Sequence, residues 1–332
     1  MNKSWEKTRL KGYARSRSAL SLSFIPHPSS LIPLLLIACL SPVAFAQGRS
    51  GSHLERARPV VPPVEREVVE RAMSVVCIER RNDPLGSVPI DEMQARPSLP
   101  LGHPDAIAGA RRAQRLLPLA RELSIAALRQ LARDYGIDEP RMRNAAQRIN
   151  AVQEIDPDID LRDNASVTVR SPRTIHFGTI FLAGLRSDEG MISVLAHEIT
   201  HIADGREDSL HVLFRLIGRR ASGLTGLRVT GQRAEELTCD LVGAMVARAF
   251  IERTPAKDPL VRRVARAVEH NCVDEDETDD DHLSPRNTMR SLLALDPTLM
   301  RDLGVVAPAS VTATGPDNAR QRPAQQSNHF QR

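Results

Sequence analysis

The sequence predicts an α+β protein that is predominantly helical, with a small β-sheet and two helices that carry metal-binding side chains. Several long segments place apolar residues at helical spacing, whereas two short segments alternate as strands do. Aromatic residues make up only 3% of the chain, so the core must be built from Leu, Ile, Val and Ala. With 332 residues and 41% hydrophobic content, the chain can form one sizeable domain with tails.

Residues 1–46 are predicted to be a secretory signal peptide. A basic region precedes a short apolar run that ends in Ala44-Phe45-Ala46, which favours cleavage after Ala46. The run is shorter than the about 18 apolar residues of a spanning helix, so we expect no transmembrane helix in the mature chain. Cys39 follows a lipobox-like Leu-Ile-Ala, and a lipoprotein anchored through Cys39 is the alternative. Both interpretations predict an exported protein, periplasmic or secreted.

The net charge of +4 does not indicate a nucleic-acid partner. Residues 1–46 carry six basic residues and one acidic residue, a net of +5, which leaves −1 for the remainder. The mature protein is therefore near neutral, and no nucleic-acid binding is expected.

The mature chain divides into four predicted regions. Residues 47–63 form a polar linker, and 64–104 a helix (64–81) followed by an extended loop with five prolines. Residues 105–300 form the main domain, and 301–332 a disordered tail rich in Ala, Pro, Gln and Asn. The predicted elements of the main domain are helices at 106–135 (bent or split near Pro118) and 141–151, a polar turn at 157–163, strands at 166–169 and 174–182, a helix at 188–203, a flexible Gly-rich connection and candidate lid at 218–231, and helices at 232–252, 259–270 and 285–295.

The helix at 188–203 carries His197-Glu198-Ile199-Thr200-His201. Residues four apart share a helix face, so His197 and His201 can direct two imidazoles at one metal ion. This HExxH spacing is typical of zinc sites in which the intervening Glu198 is the catalytic general base. The alternative is an ordinary helix that happens to contain two histidines and a glutamate.

A catalytic zinc ion needs three protein ligands and one position open to water. Glu236 is the best third ligand, because Asp240 shares its face and can accept a hydrogen bond from a ligating histidine. Helical spacing predicts that Glu235 points to solvent. A solvated acidic face is the alternative, although the neighbouring apolar residues favour a buried helix. Asp204 and His211 are rival ligands, but Asp204-Gly205 has the character of a helix end and a lone histidine is usually structural.

This pattern, HExxH followed by Glu236-Leu-Thr-Cys-Asp240, resembles the HtpX-like and CAAX-prenyl-protease-type zinc metallopeptidases. The segments 175–182 and 194–198 are similar to the same family, and the resemblance covers about residues 160–295. Without a set of membrane-spanning helices, the chain is most similar to the soluble, exported BepA-type members. The resemblance implies a zincin-type domain, one Zn²⁺ per chain, and unfolded or misfolded protein or peptide substrates in envelope quality control.

Two departures from the family pattern concern the metal centre. Cys239 stands where the family usually has Ala, at a position where it could interfere with the metal or tune it. The family's later His-Pro…Arg motif is present only loosely, in His282, Arg286 and Arg290, with Pro and Arg displaced relative to His. These three residues are candidates to stabilise an oxyanion. His282 could instead close the fourth metal position as a switch.

Signal cleavage leaves Cys77, Cys239 and Cys272 in an oxidising compartment. We expect Cys239 to be buried on the ligand helix, so Cys77 and Cys272 are predicted to form a disulfide. Three unpaired thiols are the alternative. The acidic run at 274–281 matches no EF-hand loop, and a solvated loop is favoured over a calcium site.

The sequence therefore predicts an exported zinc metalloendopeptidase that hydrolyses peptide bonds of protein substrates. The strand at 174–182 is a candidate to pair with an extended substrate, or else an interior strand. The functional alternative is a non-proteolytic chaperone or adaptor with a structural or self-inhibited zinc site.

Overall fold

The computed structural model describes residues 64–168, 171–205, 210–272 and 281–305. Helices dominate these residues and accompany a small three-stranded sheet, which confirms the α+β class. The signal peptide, the 47–63 linker, most of the acidic run and the tail beyond 305 lie outside the described residues. The elements are α1 (Arg66–Met73), α2 (Ile90–Ala95), α3 (Pro104–Tyr135), α4 (Glu139–Ala151), β1 (Glu154–Asp158), β2 (Ala165–Thr168), β3 (Ser171–Gly178), α5 (Thr179–Gly184), α6 (Asp188–Ala203), α7 (His211–Thr225), α8 (Gln232–Arg253), α9 (Leu260–Val268), α10 (Pro285–Leu295) and α11 (Pro297–Asp302).

The sheet has the strand order β1-β3-β2, with β1 parallel and β2 antiparallel to β3. Because β3 is hydrogen-bonded on both sides, the idea that it offers a free edge to a substrate is wrong. The predicted strand also ran too far, since α5 begins at Thr179. The chain turns there because the amides of Ile180 and Phe181 both donate to the carbonyl of Arg162. Strand β1 is not predicted by the sequence, and only its last two residues overlap the predicted polar turn at 157–163.

Helix α6 lies at the centre of the fold, between α3 and α8. Its start is fixed by Ser187, whose hydroxyl accepts a hydrogen bond from the amide of Gly190 at 3.0 Å, and its observed bounds match the prediction. Nearly every residue of α6 is buried. Helix α8 approaches α6 closely at Gly243, where an added Cβ would lie 2.9 Å from the backbone oxygen of Ser193. This close approach brings the candidate ligands of the two helices together.

The Gly-rich connection was only partly predicted. Helix α7 extends to Thr225, so much of the candidate lid is helical rather than flexible. At Gly218 an added Cβ would lie 2.6 Å from the Cβ of Ala234, so this glycine permits close packing of α7 on α8. The remaining turn at 226–231 does use glycine for backbone freedom, since Gly226 and Gly231 have φ of 74° and 62°.

Three further boundaries differ from the sequence prediction. Helix α3 is not split near Pro118, because it is one continuous helix of 32 residues with Pro118 inside it. The N-terminal loop contains α2. The fold extends past residue 300, since Leu303 and Val305 are buried and Asp302 pairs with Arg248 at 2.9 Å. None of the described helices is long and apolar enough to span a membrane.

The segment before α3 is attached to the rest of the fold by covalent and ionic contacts. A disulfide joins Cys77 to Cys272, the pairing that the sequence predicts. Near it, the guanidinium of Arg266 donates to both carboxylate oxygens of Asp83 at 2.6 and 2.8 Å. Both side chains of this ion pair are buried. Burial would raise the pKa of Asp83, but the hydrogen bonds and charge of Arg266 hold it below its ordinary value.

Replacing Asp83 with Asn is expected to destabilise the protein by about 3 kcal/mol. Removing one partner of a buried ion pair costs about 3–5 kcal/mol, because the other charge stays buried and uncompensated. We expect the lower end, since Arg266 keeps a 2.7 Å hydrogen bond to Asp258. Denaturant unfolding measures the change, with Asp160→Asn at an exposed position outside the helices as a control of near-zero effect. A loss below about 1 kcal/mol would show that this ion pair does not fasten the N-terminal segment.

Candidate metal centre

Side chains from α6 and α8 converge on one point. The Nε2 atoms of His197 and His201 lie 3.2 Å apart. The Oε2 atom of Glu236 lies 3.2 Å from the first nitrogen and 3.4 Å from the second. All three side chains are largely buried. Three potential ligand atoms thus form a nearly equilateral triangle, as expected if each binds the same metal ion.

Each imidazole has a carboxylate next to its Nδ1 atom, on the side opposite the converging Nε2 atoms. The Nδ1 of His197 lies 2.9 Å from Asp240, the residue predicted for this role. The Nδ1 of His201 lies 2.9 Å from Glu235. If each Nδ1 carries the proton and donates it, both Nε2 atoms present a lone pair to the central point. Asp240 also lies 3.4 Å from the Nε2 of His270, which the sequence gave no reason to expect at this site.

The prediction that Glu235 points to solvent is therefore wrong. Consecutive residues of a helix diverge by about 100°, which still allows both to contact one neighbouring helix when the two axes are close. Here α6 presents His197 and His201 one turn apart, so that Glu236 reaches the gap between the rings and Glu235 reaches the far side of His201. Helical spacing alone cannot reveal this, because it depends on how α8 is placed against α6.

Charge at the centre favours a cation. Burial would lower the pKa of both histidines, but neighbouring groups raise it well above its ordinary value. Asp240 and Glu236 raise the pKa of His197, whereas Cys239, followed by Glu235 and Glu236, raises that of His201. Burial would raise the pKa of Glu236 and Asp240, yet hydrogen bonds from the histidines lower it far below the usual range. These carboxylates therefore stay ionised near neutral pH, and a metal ion must displace protons from the two rings.

Glu198 occupies the position next to the first histidine and is only 7% exposed. Burial raises the pKa of its carboxyl, and the nearby charges of His197 and His201 oppose that rise. A carboxylate with a raised pKa is a better proton acceptor than one in water. The site therefore holds a base beside its potential metal ligands.

Cys239 is fully buried and is the free cysteine among the described residues. Its Sγ and one ring nitrogen each from His197 and His201 all lie within 4.8 Å of one another, a grouping that could hold a metal ion. Burial raises the pKa of this thiol, while His201 opposes the rise. Helix α8 thus presents two kinds of potential ligand, a carboxylate and a thiol.

No family model, curated protein or solved structure matches this chain.

Of the other predicted site residues, His282 lies beside the proposed ligand Glu236, whereas Arg286 contacts a different helix. The Nε2 of His282 is 3.8 Å from Oε2 of Glu236, and its side chain is 61% exposed at the mouth of the site. Arg286 is directed elsewhere, because its Nε donates to Glu70 of α1 at 3.1 Å. The Nε of Arg290 is buried without a hydrogen-bond partner among the described residues.

The two rival ligands bind each other rather than the centre. The carboxylate of Asp204 follows the end of α6, accepts a hydrogen bond from the amide of Leu210, and lies 2.8 Å from Nδ1 of His211. These contacts join the end of α6 to the start of α7. They leave Glu236 as the carboxylate that faces both Nε2 atoms.

Proposed function

We propose that the protein is an exported, zinc-dependent metalloendopeptidase of the HtpX-like type, with a zincin-type domain, acting on unfolded or misfolded proteins. One observation carries the proposal: Glu236 and the two histidines of the HExxH helix meet at one point, with Glu198 adjacent. Glu236 lies 35 positions after His201 in the sequence. If α6 were an ordinary helix and Glu236 part of a solvated acidic face, this convergence would be unexpected.

The donor set fits zinc. Four tetrahedral ligands at about 2.0–2.1 Å from an ion are about 3.3–3.4 Å from one another. The three separations among the nitrogens and the Glu236 oxygen are 3.2, 3.2 and 3.4 Å. Two imidazoles and one carboxylate are also a set that zinc peptidases use. His197, His201 and Glu236 would therefore hold one Zn²⁺ per chain.

When bound, zinc supplies Lewis-acid activation of a water molecule and of the scissile carbonyl. Glu198 would accept a proton from the attacking water and deliver it to the leaving amine. Asp240 and Glu235 fix the orientation of the two imidazoles and increase their basicity. His282, at the exposed mouth, is the residue best situated to donate a hydrogen bond to the developing oxyanion. Arg286 is committed to Glu70, which makes it a poor candidate for that role.

The proposal is tested by zinc-dependent cleavage of casein, an unfolded protein. Purified wild-type protein should contain one zinc per chain and cleave casein. A chelator should stop cleavage, and added zinc should restore it. Cleavage that persists after the zinc has been removed would reject the proposal, as would zinc-loaded protein that cleaves neither as wild type nor with Cys239→Ala.

A second candidate is a chaperone or adaptor whose zinc is structural or inhibited. The position of Cys239 favours it, because its sulfur groups with the two imidazoles, which also lie beside Glu236. A thiolate added to two imidazoles and a carboxylate would make a closed four-ligand site. Under this alternative, zinc removal unfolds the protein, and Glu198→Gln leaves its function in cells unchanged. Proteolysis in vitro that depends on Glu198 decides between the two.

A further inference from the structure

The thiol of Cys239 occupies an unusual position for a buried cysteine. It lies on α8 three residues after Glu236, so the two side chains point from the same face of that helix. It is fully buried. Its thiol interacts electrostatically with His197, His201 and Glu236, the three proposed zinc ligands. A small apolar residue would fill such a position equally well. The thiol instead adds a fourth potential ligand.

Zinc binds cysteine sulfur readily, at about 2.3 Å, and four protein ligands are typical of closed sites. A ring nitrogen from each of His197 and His201 and the Sγ of Cys239 already lie within 4.8 Å of one another. Closing this group around an ion would need side-chain shifts of about an ångström, without movement of the helices. The thiol proton would leave to solvent as the sulfur–metal bond forms.

We propose that Cys239 is a fourth zinc ligand in the resting protein and makes the protease latent. This inference rests on the proposed function, since it assigns the regulation of the same metal centre. While the sulfur is bound, a tetrahedral ion has no position for water. Activity requires the sulfur to leave the ion by the reverse side-chain shift, so that water can take its position.

His282 provides the contrast that makes the inference specific. Its ring also approaches the site, 3.8 Å from Glu236, but from the exposed mouth. Cys239 approaches from the buried side, along the ligand helix. A ligand that occupies the fourth metal position from the interior would be inaccessible to reagents in solvent. A ligand at the exposed mouth would compete directly with substrate. The two residues can therefore be separated by mutation.

The ligand is tested by cobalt substitution in the full chain carrying Cys39→Ser, so that Cys239 is the one cysteine outside the disulfide. A cobalt–thiolate bond gives an intense near-ultraviolet charge-transfer band that histidine and carboxylate ligands do not give. The band should be present in this protein and absent after Cys239→Ala and Cys239→Ser. His282→Ala and Thr238→Ala should retain it, the latter as a control for a small buried side chain on α8. A spectrum without the band in the parent protein would overturn the inference.

Latency is tested by casein cleavage with zinc. If about 90% of molecules hold the sulfur-bound state, Cys239→Ala should raise kcat/KM about tenfold, while chelator competition shows weaker zinc binding. Unchanged or lower activity in both Cys239 variants would overturn latency. The proposed function fails separately: a thiolate band with no cleavage by parent or variants would reject the protease, and latency with it, yet retain Cys239 as a ligand.

Discussion

Replacing Glu198 with Gln is expected to lower kcat/KM for casein cleavage by about 10²- to 10⁴-fold. Gln has nearly the same shape but cannot accept the proton of the attacking water. The zinc content should stay at one per chain, because His197, His201 and Glu236 are untouched. Initial rates of casein cleavage, with metal analysis of the same samples, measure both quantities.

The matched control for this substitution is Glu252→Gln, the same chemical change at an exposed position near the end of α8. It should alter neither rate nor zinc content. Glu198→Gln that cleaves at the wild-type rate would remove Glu198 from the mechanism. Loss of zinc along with activity would instead make Glu198 a structural part of the site.

Alanine substitutions at Glu236 and Glu235 should weaken zinc binding by different amounts. Glu235 contacts a ligand, His201, and outer partners of this kind contribute about 10- to 100-fold to metal affinity. Glu236 faces both Nε2 atoms, so its loss should exceed that range and abolish cleavage. Competition with a chromophoric chelator measures both affinities on folded protein.

Each of these two substitutions is the control for the other, because Glu235 and Glu236 are the same residue type in the same helix turn. Equal, small losses at both positions would show that neither carboxylate binds the ion. A larger loss at Glu235 than at Glu236 would reverse their assigned roles.

Local signals in the sequence predict the ligand helices well. Ser187 followed by acidic residues marks the start of α6, and the bounds of α6 and α10 agree with the sequence prediction. The i, i+4 spacing predicts that His197 and His201 share a face, and that Asp240 lies beside Glu236. The expected burial of Cys239 on the ligand helix leaves Cys77 and Cys272 as the predicted pair, which the structure contains. Each of these inferences uses residues whose effect is local or whose number is small.

Features that depend on how elements meet were not predictable in this way. Strand β1 contains Pro157 and three acidic residues, and it forms because β3 supplies parallel hydrogen bonds from a distant segment. Gly218 suggests flexibility in the sequence, yet it serves close helix packing. The roles of Glu235 and His270 arise from the placement of α8, and of the turn that follows α9, around the two histidines of α6. A hydrophobic pattern in the sequence predicts which face of a helix or strand is buried. It does not predict which element packs against that face, because that depends on the whole fold.

The most direct measurement is anomalous diffraction at the zinc edge from crystals of the zinc-loaded protein. We predict one peak per chain, about 2.0–2.2 Å from the Nε2 atoms of His197 and His201 and from a carboxylate oxygen of Glu236. A peak bound by the histidines with Glu236 turned away, or zinc found only at other residues, would contradict the account.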